Sequence, residues 1–189
     1  VGFINQWNVL PGAYSTLSKW KNFSNLNENS IILEIACTTG FSSRELAVMT
    51  NCNGKAFDIS EQSIKAAIES KNKYASDIKI QYFVQDGYKF KTPEKFSHII
   101  IGASLKFFSD PQKILEKCIL LLNEGGFILA SPFYIKTPLS QDQIIRFEKI
   151  FGVKPTTEGY KDIMKMYKSL EIIYEERNEK QLTLIIKKQ

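Results

Sequence analysis

The chemistry-bearing residues of this chain stand at the ends of apolar runs. Glu34 lies within Leu33-Glu34-Ile35-Ala36-Cys37-Thr38-Thr39-Gly40, Asp58 closes the run from Gly54, and Asp86 sits in Gln85-Asp86-Gly87 after Ile78 to Val84. Ionised carboxylates accept hydrogen bonds, so they can hold hydroxyls or an amine of a ligand. In an open α/β sheet a ligand sits beyond the carboxyl ends of the strands, which makes the turn after Ile35 the first place to look. Asp58 follows Gly40 at about 20 residues, where Rossmann-like proteins place a carboxylate on ribose hydroxyls. A single Asp at a strand end is equally a turn former.

Other chemistries find less support. Ala36 and Thr38 interrupt the Gly-x-Gly-x-x-Gly spacing that seats a pyrophosphate, which argues against a dinucleotide. Cys37, Cys52 and Cys118 are odd in number, widely spaced and without a His cluster, so neither a disulfide framework nor a metal site is expected. The one histidine, His98, falls near the start of a strand, at the end away from the expected site, and reads as structural. No general base is evident.

The elements that position these residues alternate. Strands are expected at Ser30 to Ile35, Gly54 to Asp58, Ile78 to Val84, Ser97 to Gly102 and Phe127 to Ser131. A helix starting at Ser42 has Glu45 at capping-box spacing, Ser60 caps a second, and Asp110-Pro111 opens a third that ends at Gly125-Gly126. Repeated β-α units imply right-handed crossovers and a parallel sheet covered on both faces. Two successive helices, Ser140 to Phe151 and Gly159 to Tyr167, precede an antiparallel hairpin of Leu170 to Arg177 and Gln181 to Lys187 at the sheet edge.

The turn from Leu33 to Ser43 resembles the first motif of class I S-adenosylmethionine-dependent methyltransferases, with Glu34 on the acidic position and Gly40 on the last glycine. Ala36 and Thr38 stand where that family usually has glycines, and Thr38 is the costlier departure if its φ is positive. The segments Asp58-Ile59-Ser60, Gln85-Asp86-Gly87 and Phe96 to Ser131 follow in the family's order. The resemblance implies an α/β fold with a seven-stranded, mostly parallel Rossmann-like sheet whose last strand is antiparallel. It also implies S-adenosylmethionine as cofactor and S-adenosylhomocysteine as product. The cofactor site expected on it comprises Tyr14, Glu34, Ile35, Ala36, Thr38, Gly40, Asp58, Ile59, Asp86, Gly87 and Gly102. Trp7, Phe107 and Tyr134 are expected toward the acceptor. Gly102-Ala103-Ser104-Leu105 lacks the Asn/Asp-Pro-Pro-aromatic signature of the DNA-amino-methylating branch.

Residues 1–29 are rich in aromatics and are expected to form an arm or lid, residues 30–189 the methyltransferase domain, with a helical cap around 136–167. The net charge of +5 arises from 25 Lys+Arg against 20 Asp+Glu. Those charges are interspersed, which reads as a solvated surface and argues against a nucleic-acid partner. No run approaches a membrane span or a leader, so a cytoplasmic protein is expected. The expected activity is methyl transfer to a small molecule. The rival readings are a non-catalytic methyltransferase-like subunit, suggested by Ala36, Thr38 and the missing base, and an RNA methyltransferase, suggested by the basic balance.

Overall fold

The computed structural model describes residues 10, 12–152, 154–178 and 181–188. Seven strands form one sheet: β1 (Ile31–Ile35), β2 (Asn53–Asp58), β3 (Lys79–Val84), β4 (Phe96–Gly102), β5 (Leu122–Ala130), β6 (Glu171–Arg177) and β7 (Leu182–Lys187). Their order is β3-β2-β1-β4-β5-β7-β6. The first five are parallel, while β7 runs antiparallel to both β5 and β6. Strand order reverses between β1 and β4, which opens a crevice at their carboxyl ends.

Alternation along the strands builds two cores. Leu33, Ile99, Ile101, Ile128 and Leu184 face one side, where α4 (Pro111–Leu121) and α6 (Tyr160–Met166) contribute Leu115, Cys118 and Ile163, with Tyr167 just beyond α6. Ile32, Ala56, Ile100, Leu129 and Ile185 face the other, covered by α1 (Ala13–Phe23), α2 (Phe41–Thr50) and α3 (Glu61–Tyr74) through Leu17, Trp20, Leu46 and Ile64. Each fully buried Leu or Ile contributes about 1.5–3 kcal/mol, so a sheet covered on both faces needs no strand with a polar side.

Several boundaries differ from the sequence reading. Within the segment expected as an arm or lid, residues 13–23 form a helix that packs into the core, with Leu17 and Trp20 0% exposed. The helix after the first turn begins at Phe41 behind a left-handed Gly40, with no side-chain cap on itself, so the Ser42/Glu45 capping box is not formed. Its third amide, Ser43 N–H, instead donates to Glu34 Oε2 at 3.0 Å, a carboxylate from the neighbouring strand taking over the capping role. α4 ends at Leu121, not at Gly125-Gly126; those glycines already lie in β5, where Gly126 O accepts Lys188 N–H. The terminal hairpin is antiparallel as expected, but only β6 is an edge, since β7 is inserted beside β5. Of the two helices read as a cap, α5 (Gln141–Phe151) lies on the surface, held at its start by a Ser140/Gln143 capping box, whereas α6 buries Ile163 in the core. Among the described residues no helix is long and apolar enough to cross a membrane.

Candidate active site

A cavity of about 780 Å³ opens at the carboxyl ends of β1, β2 and β4, and its walls include Glu34, Ala36, Thr38, Asp58, Asp86 and Gly102. Strand register explains the convergence: Glu34 pairs with Ala56 and with Ile100, so the ends of the three strands stand side by side.

The turn after β1 is wound through left-handed backbone. φ is 54° at Ala36, 49° at Thr38 and 71° at Gly40. A β-carbon is disfavoured there by about 1–2 kcal/mol per residue, and the surrounding hydrogen bonds hold the turn in place. Cys37 N–H donates to Phe57 O at 2.9 Å, Gly40 N–H to Cys37 O at 2.8 Å and Thr38 N–H to Asp58 Oδ2 at 3.0 Å. Asp58 Oδ1 accepts Ser60 N–H at 2.9 Å. Asp58 therefore fastens the two neighbouring turns to each other, and each of its oxygens keeps further acceptor capacity for a ligand.

Glu34 is buried deeper than Asp58. Burial raises its carboxyl to about 7, against the opposing pull of hydrogen bonds from Ser43 and Ser42, and the nearby Asp58 adds to the rise. The Cys37 thiol is pushed well above its ordinary value by burial and by Glu34 and Asp58, which leaves it protonated and inert.

The third wall is braced from α4. Asp86 Oδ1 accepts Tyr88 N–H at 2.8 Å, Tyr88 Oη accepts Asp110 N–H at 2.7 Å, and Lys117 Nζ donates to Gly87 O and Tyr88 O, both at 2.9 Å. Burial lowers the Lys117 ammonium from its ordinary value, opposed by Asp86. A β-carbon on Gly87 would meet the Phe108 ring at 3.0 Å, whereas one on Gly102, at φ 56°, would meet nothing within 4 Å. Gly102 thus leaves room beside the cavity that it lines.

Of the expected positions, Glu34, Ala36, Thr38, Asp58, Ile59, Asp86, Gly87, Gly102 and Phe107 all line this cavity. Ile35 does not: it packs in the core at 3% exposure. Gly40 does not line it either. A β-carbon there would lie 2.5 Å from the Tyr82 ring, whose hydroxyl donates to Gly40 O, so close packing and the turn account for this glycine. Tyr14 is not among the lining residues, because α1 carries it against α2. There it is 52% exposed, donates to Glu45 Oε2 at 2.9 Å and meets Phe41 edge-on. Tyr134 is buried outside the cavity with its hydroxyl on Asn178 O at 2.6 Å. Trp7 lies outside the described residues.

The cavity also gathers Ser104, Phe108 and Phe133, together with Leu10 and Tyr88, which the sequence reading passed over. Tyr88 could have been found as the residue after the Asp86-Gly87 pair; Leu10 carries no such signal. His98 is at the far end of the sheet, as expected. Its Nε2 lies 3.0 Å from Ser24 O, which can only accept, so hydrogen-bond logic places the proton on Nε2. Nδ1 is 2.9 Å from Ser97 Oγ, and burial holds the imidazole down at about 4.

The methyltransferase-domain family model matches residues 32–126, about half of the chain. No curated protein sequence matches it. Among solved structures, MccD protein is similar in fold, with a TM-score of 0.86 at 21% identity, covering 96% of this chain and 100% of that one. Magnesium protoporphyrin IX methyltransferase from Synechocystis PCC 6803, solved with bound S-adenosylhomocysteine, gives 0.71 at 17% identity over 93% and 81%. The [4+2]-cyclase SpnF gives 0.77 at 12% identity over 93% and 80%. With this sheet order and this family match, the chain belongs to the methyltransferase-domain family and has the Rossmann-like fold of class I S-adenosylmethionine-dependent methyltransferases.

Proposed function

We propose that the protein transfers the methyl group of S-adenosylmethionine to a small-molecule acceptor. The observation that carries this reading is the meeting of Glu34, Asp58 and Asp86, from the ends of three adjacent strands, in one cavity. The residues fit a nucleoside: the carboxylates can accept from hydroxyls and an amine, Gly102 leaves space, and the turn at Ala36 and Thr38 lacks the glycine spacing that suits a phosphate.

When bound, the cofactor supplies a sulfonium methyl for in-line transfer to a nucleophile. The chain's own residues orient it. Asp58 would hold the ribose hydroxyls, Asp86 would accept from the adenine amine, and the left-handed turn after β1 would bring backbone close to the methionine portion. Glu34 acts at one remove, by fixing Ser43 and hence the start of α2.

Calorimetry with S-adenosylhomocysteine tests the reading. Asp58→Ala should weaken binding by about 1.5–3 kcal/mol, the loss expected for hydrogen bonds to a charged group. Unchanged affinity in a folded variant removes Asp58 from the site, and failure of the unaltered protein to bind removes the cofactor.

A further inference from the structure

Part of the cavity lining is aromatic. Tyr88 follows β3, Phe107 and Phe108 follow β4, and Phe133 follows β5, so three separate segments contribute aromatic rings to it. Phe107 is 58% exposed and Phe133 36%, apolar surface that a rigid mouth leaves for a ligand. Phe108 is fixed by Gly87 behind it and by Tyr88, whose ring meets it edge-on at 5.8 Å. Phe133 is held by a bridge to Gln181.

These rings bring few proton acceptors with them; the Lys106 ammonium, 5.1 Å above the Phe107 ring, donates to Thr156 Oγ1. Among the described residues lining the cavity, the titratable side chains are Glu34, Asp58, Asp86, Cys37 and Tyr88. On the methyl-transfer reading Asp58 and Asp86 belong to the cofactor and Glu34 to the start of α2, and each already receives a backbone amide. The Cys37 thiol is buried, and the Tyr88 hydroxyl is engaged with Asp110 and Ser109. The histidine of this chain, His98, is at the opposite end of the sheet.

We infer that the acceptor is a flat aromatic molecule whose nucleophilic atom loses its proton to water, not to a side chain: an aromatic thiol or an acidic phenol. This rests on the methyl-transfer reading and narrows it. The acceptor enters against Phe107, Phe108 and Phe133 as the anion, its proton already in solvent. Its sulfur or oxygen lone pair forms the new bond to the methyl carbon while the carbon–sulfonium bond breaks. That electron pair stays on the sulfur of S-adenosylhomocysteine, so atoms and charge balance without an oxidant or a further substrate. Offset or edge-on contacts with these aromatic side chains select a flat ring over a saturated one of the same size.

Two measurements test this. In the first, thioanisole, an unreactive methylated aryl sulfide, and cyclohexyl methyl sulfide are titrated into protein saturated with S-adenosylhomocysteine. Thioanisole should bind about tenfold more tightly, and Phe133→Ala should erase most of that preference. In the second, kcat/KM of the unaltered protein is followed against pH with substituted thiophenols of graded acidity. The midpoint should move with each thiol's own pKa, because no protein base intervenes. Equal affinity for the two sulfides, one midpoint shared by the whole series, or no transfer to any thiol or phenol by protein that binds S-adenosylhomocysteine overturns the inference. Absence of S-adenosylhomocysteine binding overturns the methyl-transfer reading itself, and the two failures are therefore distinguishable.

Discussion

The two ends of the sheet hold their buried titratable groups in different ways. At the carboxyl ends of β1, β2 and β4 the backbone passes through left-handed Ala36 and Thr38, and the Glu34 carboxyl is raised to about 7 by burial. At the amino ends His98 is buried to a similar degree but remains neutral, with Ser24 O on one ring nitrogen, Ser97 Oγ near the other and Phe127 stacked at 5.5 Å. One end carries strain and a carboxyl that is costly to ionise around an open cavity, while the other is closed and satisfied. Strain of this kind gathers where a ligand must meet backbone closely, and the opposite end is free to be ordinary.

The largest effect tests whether the closed end depends on α1. Trp20→Ala should cost about 3–5 kcal/mol in urea denaturation, as for a fully buried aromatic removed from a core. A loss below about 1 kcal/mol would return residues 13–23 to the status of a detachable arm.

The next test sets the two buried groups against each other through pH. Glu34 has a folded pKa of about 7 against an ordinary 4.5, so its stabilising contribution is complete below pH 4.5 and is lost as pH rises through 7. His98 has a folded pKa of about 4 against an ordinary 6.5, so its contribution is complete above pH 6.5 and is lost as pH falls through 4. Each amounts to about 3 kcal/mol across its window, with opposite sign. In the unaltered protein they offset one another between about pH 4.5 and 6.5. Relative to it, Glu34→Gln should make stability rise with pH in that window, and His98→Asn should make it fall. Parallel pH profiles for all three proteins would show that neither group is perturbed in this way. His98→Asn should also leave S-adenosylhomocysteine affinity unchanged.

The smallest effect concerns the strain itself. Thr38→Gly removes a β-branched side chain from φ 49° and should raise stability by about 1 kcal/mol, net of the greater freedom of glycine in the unfolded chain. A loss in thermal denaturation would mean that contacts of the threonine outweigh its backbone cost.

Much of the sheet is readable from the chain because its signals are local. Ser60 and Asp110 cap α3 and α4 as their types predict, and the apolar runs of β1 to β4 are placed within about one residue. The site is readable where a carboxylate ends a strand, as at Asp58 and Asp86. What escapes the sequence is decided across space. The start of α2 is capped by Glu34 from another element, so local spacing pointed to Ser42 and Glu45 instead. Gly40 resembles a ligand glycine, yet Tyr82, far along the chain, explains it. α1 stands before the β-α repeat, and only the surface that Thr16, Leu17 and Trp20 cover reveals their role.

The placement of β7 bears on how the chain is made. Ribosomes deliver β5 well before β7, and until the latter emerges the growing sheet presents β5 as an open edge. α1, made before the sheet, meets α2 early through Tyr14 and Phe41 but waits still longer for its partners in the terminal hairpin. Lys19 pairs with Glu176, and Phe23 stacks on Tyr174 of β6 at 4.3 Å. The nascent sheet therefore carries an unpaired strand and a half-docked helix until β6 and β7 are made, a period in which a holding chaperone has something to bind, and it closes only when that hairpin is released.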